Sequence, residues 1–96
     1  MTMPQLQVSS IEQEHTVLQV VFVPPETSYF DDRQRARLRE ILTEALQRRG
    51  LLGELIAVWE GEGELQFMGN PHWVGFLESA GYANLRKLSN ASISVD

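Results

Sequence analysis

The chain predicts an α+β fold, and three features carry that expectation. Thr16–Val23 is a run of strand-forming residues that is apolar on both faces. Asp32–Arg49 repeats its apolar residues at helical spacing. Gly61-Glu62-Gly63 separates two short apolar runs in the manner of a hairpin turn. All three fall within 96 residues and 10.9 kDa, the size of one domain and too short for two, so residues 1–96 are read as a single α+β domain. With 43% hydrophobic and 22% charged residues, the composition is that of a globular chain and not of a disordered one.

The first element is a hairpin. Leu6–Ile11 is a short strand, Glu12–His15 a polar turn, and Thr16–Val23 the return strand. Leu18, Val20 and Phe22 share one face of that return strand, and Val17, Gln19, Val21 and Val23 the other, which predicts a central strand covered on both sides. Pro24-Pro25 ends it, since proline donates nothing to a ladder.

The helix from Asp32 to Arg49 has a start, a stripe and a stop that agree. Asp31 with Gln34 three residues on has the spacing of a capping box, Ser28 being the alternative cap. Leu38, Ile41, Leu42, Ala45 and Leu46 form one apolar stripe. Gly50 is placed for the left-handed position after the last turn, and Leu51 for the apolar contact that closes it.

Leu52–Trp59 and Glu64–Met68 then read as a second hairpin. Asn70-Pro71 caps and opens a shorter helix held by Val74 and Leu77 and closed by Gly81. Leu85 and Leu88 pack in the connection, and Ala91–Val95 alternates as a last strand. The order β-β-α-β-β-α-β predicts a mostly antiparallel or mixed sheet with the long helix on one face. By analogy of topology it is β-grasp-like, with a rearranged ferredoxin-like sandwich as the alternative.

Several functions are excluded by composition. The absence of cysteine removes disulfide scaffolds, thiolate metal sites and thiol nucleophiles, and it fits a reducing cytoplasm. The first ten residues lack the basic and apolar regions of a secretory signal, and no apolar run approaches a membrane span. Two isolated histidines make no metal cluster, and no phosphate loop or nucleotide fingerprint is present, so neither metal nor cofactor is expected. A net charge of -5 argues against nucleic acid and against an anionic membrane surface.

That charge is unevenly placed. Residues 1–32 and 50–85 each carry -5, whereas 33–49 carry +4, with six arginines on the helix. Arg37–Glu40 and Glu44–Arg48 have ion-pair spacing and neutralise part of the ridge. Arg35 and Arg39 fall on the flank without an acidic neighbour on the helix, which makes them candidates for an acidic partner surface. Trp59 and Trp73 are candidate anchors wherever they are exposed, core packing being the other fate of the ring. His72, in the first turn of the second helix, and Tyr82 are candidates for a ligand pocket beside Trp73.

The expected function is accordingly a soluble, cytoplasmic protein-interaction module without catalytic activity, an adaptor or small regulatory subunit. A homodimer through an edge strand or a helix-free sheet face is a second expectation. The alternative is a small enzyme or ligand-binding domain built around His72, Trp73 and Tyr82.

Overall fold

The computed structural model describes residues 5–95, so the ends of the expected 1–96 span lie outside the described residues. Among the described residues five strands form one mixed sheet: β1 (Gln5–Gln13), β2 (Thr16–Phe22), β3 (Glu54–Gly61), β4 (Glu64–Met68) and β5 (Ala91–Ser94). Their order is β4-β3-β2-β1-β5. Only β2 and β3 run parallel, because the connection between them is the long helix α1 (Asp32–Arg48), while the other neighbours are antiparallel. The chain is one compact body, with a Cα radius of gyration of 12.5 Å, close to the ~12.5 Å general for this length.

Each end of α1 has the predicted chemistry. Asp31 accepts from the Gln34 amide at 2.8 Å, and the Gln34 side chain accepts from the Asp31 amide at 2.9 Å. At the other end the Leu51 amide reaches the Leu46 carbonyl (2.9 Å) and the Gly50 amide the Gln47 carbonyl (3.0 Å), with Gly50 at φ 70. Leu42, Ala45 and Leu46 pack against Val8, Val21, Ala57 and Ile93, one from each strand they cross.

The opposite face of the sheet is a second core, not a bare surface. Leu18, Val20, Phe22, Ile56 and Val58 meet Trp73, Leu77 and Leu85 there. The cover is a 3-10 turn at Pro71–Trp73 followed by α2 (Val74–Ala80) and α3 (Tyr82–Lys87). The helix-free face expected as a dimer surface is therefore absent: the two-sided apolar pattern of β2 is satisfied within the chain. The stretch read as a connection is the helix α3, in which Leu85 is buried, whereas Leu88 just after it is 55% exposed. Among the described residues no helix is long and apolar enough to cross a membrane.

Both hairpins close on two-residue turns with left-handed backbone, Glu14-His15 (φ 51 and 64) and Glu62-Gly63 (φ 54 and 78). The first turn holds two non-glycine residues in that region, where a side chain costs roughly 1–2 kcal/mol per residue. His15→Gly is expected to raise stability by about 0.5–1 kcal/mol, a Tm increase of about 2–8 °C in a domain of this size. An unchanged or lowered melting temperature would show that this turn holds no such strain.

Candidate functional site: the groove between the long helix and the free sheet edge

The sheet has two edges, and they differ. At β5 the exposed ladder groups are partly taken: Arg49 Nε donates to the Ser92 carbonyl at 3.1 Å, and just before the strand Asn90 Oδ1 accepts from the amide of Ser10 in β1 at 3.0 Å. At β4 they are open. Gly61 and Glu64 flank the Glu62-Gly63 turn and are paired across it. Residues flanking such a turn exchange both ladder bonds, and pairing then alternates along the strands. Glu64, Gln66 and Met68 consequently turn their backbone groups to β3, and Leu65 and Phe67 turn theirs outward.

The same alternation sets the side chains. Met68 belongs to the core under α1, so Gln66 and Glu64 share that face. Leu65 and Phe67 lean half-buried against the second core. The open backbone of β4 thus lies beside the N-terminal half of α1, with a groove between them.

Arg35 and Arg39 stand along that groove on successive turns of α1. The Arg35 guanidinium lies over the Trp59 ring at 5.7 Å from its centroid. Its best acceptor is the Ser28 carbonyl, at a long 3.5 Å, and its shielded Nε has no hydrogen-bond partner among the described residues. A shielded donor left unpaired costs roughly 1–3 kcal/mol, so Arg35 is held where it is poorly satisfied. Arg39 is exposed and borders the groove beside Phe67, Met68 and Gly69. Among the described residues its guanidinium has no partner, whereas Arg37 is tied to Glu40 at 3.2 Å. The two flank arginines singled out by helical spacing are thereby brought to one surface.

Beyond Arg35 the groove opens into a cleft of about 410 Å³ at the carboxyl ends of β2 and β3. Tyr29 stands at its mouth, 89% exposed, and Gln66 and the carboxylates of Glu26, Glu60 and Glu62 are among the residues of its wall.

No protein-family model matches the sequence, no curated protein sequence matches it, and no solved structure matches the fold.

The tryptophans are not exposed anchors. Trp59 and Trp73 are 2% and 5% exposed, and their indole N–H groups are satisfied by Ser28 Oγ (2.7 Å) and Glu54 Oε2 (2.6 Å). An indole in so small a domain gains most by burial with its N–H bonded, and both rings do so. Trp59 contributes to the groove only as the platform beneath Arg35. Ser28, the alternative cap for α1, instead fixes that platform, and Asp31 is the cap.

His72 and Tyr82 are not brought together. His72 lies on open surface, its Nε2 3.0 Å from Glu14 Oε2 at the β1–β2 turn and its ring edge-on to Trp73. Tyr82 packs edge-on against Phe22, at the far end of β2, and its hydroxyl accepts from Arg86 at 2.8 Å. The shallow depression beside His72 and Trp73 does not include Tyr82. Among the described residues no three His, Asp or Glu side chains converge on a point that could hold a metal ion.

Tyr29, Gln66 and the outward backbone of Leu65 and Phe67 are not among the residues that the sequence singles out. Tyr29 had a signal, an aromatic in a short loop after Pro24-Pro25. The backbone groups had none until the strand order was known.

Proposed function

We propose that this domain is a protein-interaction module, an adaptor or small regulatory subunit, that binds an acidic partner surface along the α1–β4 groove. One observation carries the reading: Arg35 and Arg39, the former poorly satisfied and the latter unpaired, line the same groove as an open strand edge. An extended partner segment gains main-chain bonds from such an edge and side-chain contacts from the helix beside it. Tyr29 and the arginines are of the types that dominate binding energy at interfaces. The cysteine-free composition supports a cytoplasmic setting.

The double variant Arg35→Ala/Arg39→Ala is expected to fold as the wild type does and to lower recovery of the native partner in a quantitative pull-down about tenfold, or ~1.4 kcal/mol. Recovery equal to wild type removes the arginine flank from the binding surface.

A further inference from the structure

We infer that the β4 edge pairs with the β4 edge of a second copy of this chain, antiparallel and centred on Gln66, and that Arg39 of each copy faces Glu64 of the other. The inference rests on the reading of the α1–β4 groove as a binding surface and names one acidic segment that fits it.

The register follows from the outward groups. Leu65 and Phe67 are the two residues of β4 whose backbone points away from β3, as derived from the pairing of Gly61 with Glu64. In a two-fold antiparallel pair, both find partners within the strand only if Leu65 lies opposite Phe67 of the second copy, and Phe67 opposite Leu65. That register puts Gln66 opposite itself on the two-fold axis and Glu64 opposite Met68. Shifting the axis by one residue pairs Phe67 with the turn residue Gly63, or Leu65 with Gly69 outside the strand.

Side chains agree with this register on both faces. Directly opposite residues of an antiparallel pair lie on the same face, about 4.5–5.5 Å apart. On the face covered by α2 and α3, Leu65 meets Phe67 twice, and two half-buried apolar side chains in each copy gain cover. On the α1 face, Glu64 of the second copy comes beside Met68, the residue that Arg39 borders in the groove. Glu62, in the turn two residues before Glu64, adds to the negative charge of the same tip. The symmetry therefore carries the acidic end of each β4 to the basic end of the other groove, an isologous match made by one strand.

The other edge is partly occupied and offers this pairing less well. Arg49 occupies the Ser92 carbonyl of β5, and Asn90 caps Ser10 beside it. A seam of five residues is small for an interface, so a weak and reversible dimer is the expected form.

The test is light scattering after size exclusion, with charge reversal at two exposed positions. For the wild type, the mass should rise from 10.9 kDa toward twice that value between about 10 µM and about 1 mM, the span over which small interfaces dissociate. Arg39→Glu and Glu64→Arg, each alone, should weaken the dimer at least about tenfold, since each sets like charges against each other at two symmetric places. An equimolar mixture of the two variants should dimerise again, because a mixed pair restores opposite charges at both places. Circular dichroism matching the wild type confirms that neither reversal unfolds the chain.

A mass of 10.9 kDa at every concentration overturns the inference. So does a dimer that both reversals leave intact, or a mixture that stays monomeric while the wild type pairs. None of these outcomes bears on the pull-down with Arg35 and Arg39 replaced, which reads the wider binding surface separately.

Discussion

Leu77→Ala is expected to destabilise the domain by about 3–5 kcal/mol, as much as Leu42→Ala on the other side of the sheet. Both leucines are fully buried, and each belongs to one of the two clusters of buried apolar side chains. Leu42 belongs to a helix of 17 residues and Leu77 to one of 7, so helix length alone would rank them differently. Burial decides instead. The loss is set by the transfer of the side chain to water and by the cavity left among Leu18, Val20, Ile56 and Trp73, and neither depends on how long the helix is. Against a total stability of roughly 5–15 kcal/mol, either variant should shift the urea midpoint strongly without changing the slope. A cost below about 1 kcal/mol for Leu77→Ala would mean that α2 and α3 lie on the sheet without forming a core.

The second layer explains what was legible in the sequence and what was not. The pattern of β2, apolar on Leu18, Val20 and Phe22 as well as on Val21 and Val23, already demanded cover on both faces. The first cover was plain because every signal of α1 is local: a capping box, one stripe, and a glycine stop. The second cover is built from pieces too short to show a period. Tyr82–Lys87 has six residues and buries a single side chain, Leu85. Gly81, read as the end of one helix, is also the corner from which the next begins, at φ 81 and ψ 151. That corner carries Tyr82 toward Phe22 and away from His72, so sequence proximity gave a pocket that the chain does not build.

The groove divides in the same way. Arg35 and Arg39 emerge from helical spacing because their exposure is fixed by α1 alone. The depth of Trp59 depends on which face of β3 meets α1, and alternation within β3 leaves that choice open. The free edge at β4 follows only from strand order, a long-range property to which no short window of sequence is sensitive.

Strand order also places the most demanding glycine. Gly53→Ala is expected to cost about 3 kcal/mol or more, against about 1 kcal/mol for Gly50→Ala or Gly63→Ala. All three have positive φ, at 145, 70 and 78, so each substitution meets a backbone preference. At Gly50 and Gly63 the new methyl group would enter open space. At Gly53 it would lie 2.5 Å from the Val17 carbonyl oxygen and 3.2 Å from Val17 Cγ1. Neither side can give way cheaply. Val17 is paired with Glu12 of β1 and directly precedes Leu18, which is paired with Glu54 of β3, and the loop before Gly53 is pinned by the bond from buried Gln19 Nε2 to the Leu52 carbonyl at 2.9 Å. Backing away would break that bond and strand the amide of Gln19, whose Oε1 already holds Ser10 Oγ at 2.5 Å. Urea denaturation of the three variants separates the two contributions. Equal losses at all three positions would reduce the effect to backbone preference, whereas a loss at Gly53 well beyond the others measures how tightly the parallel pair β2–β3 is closed at its entrance.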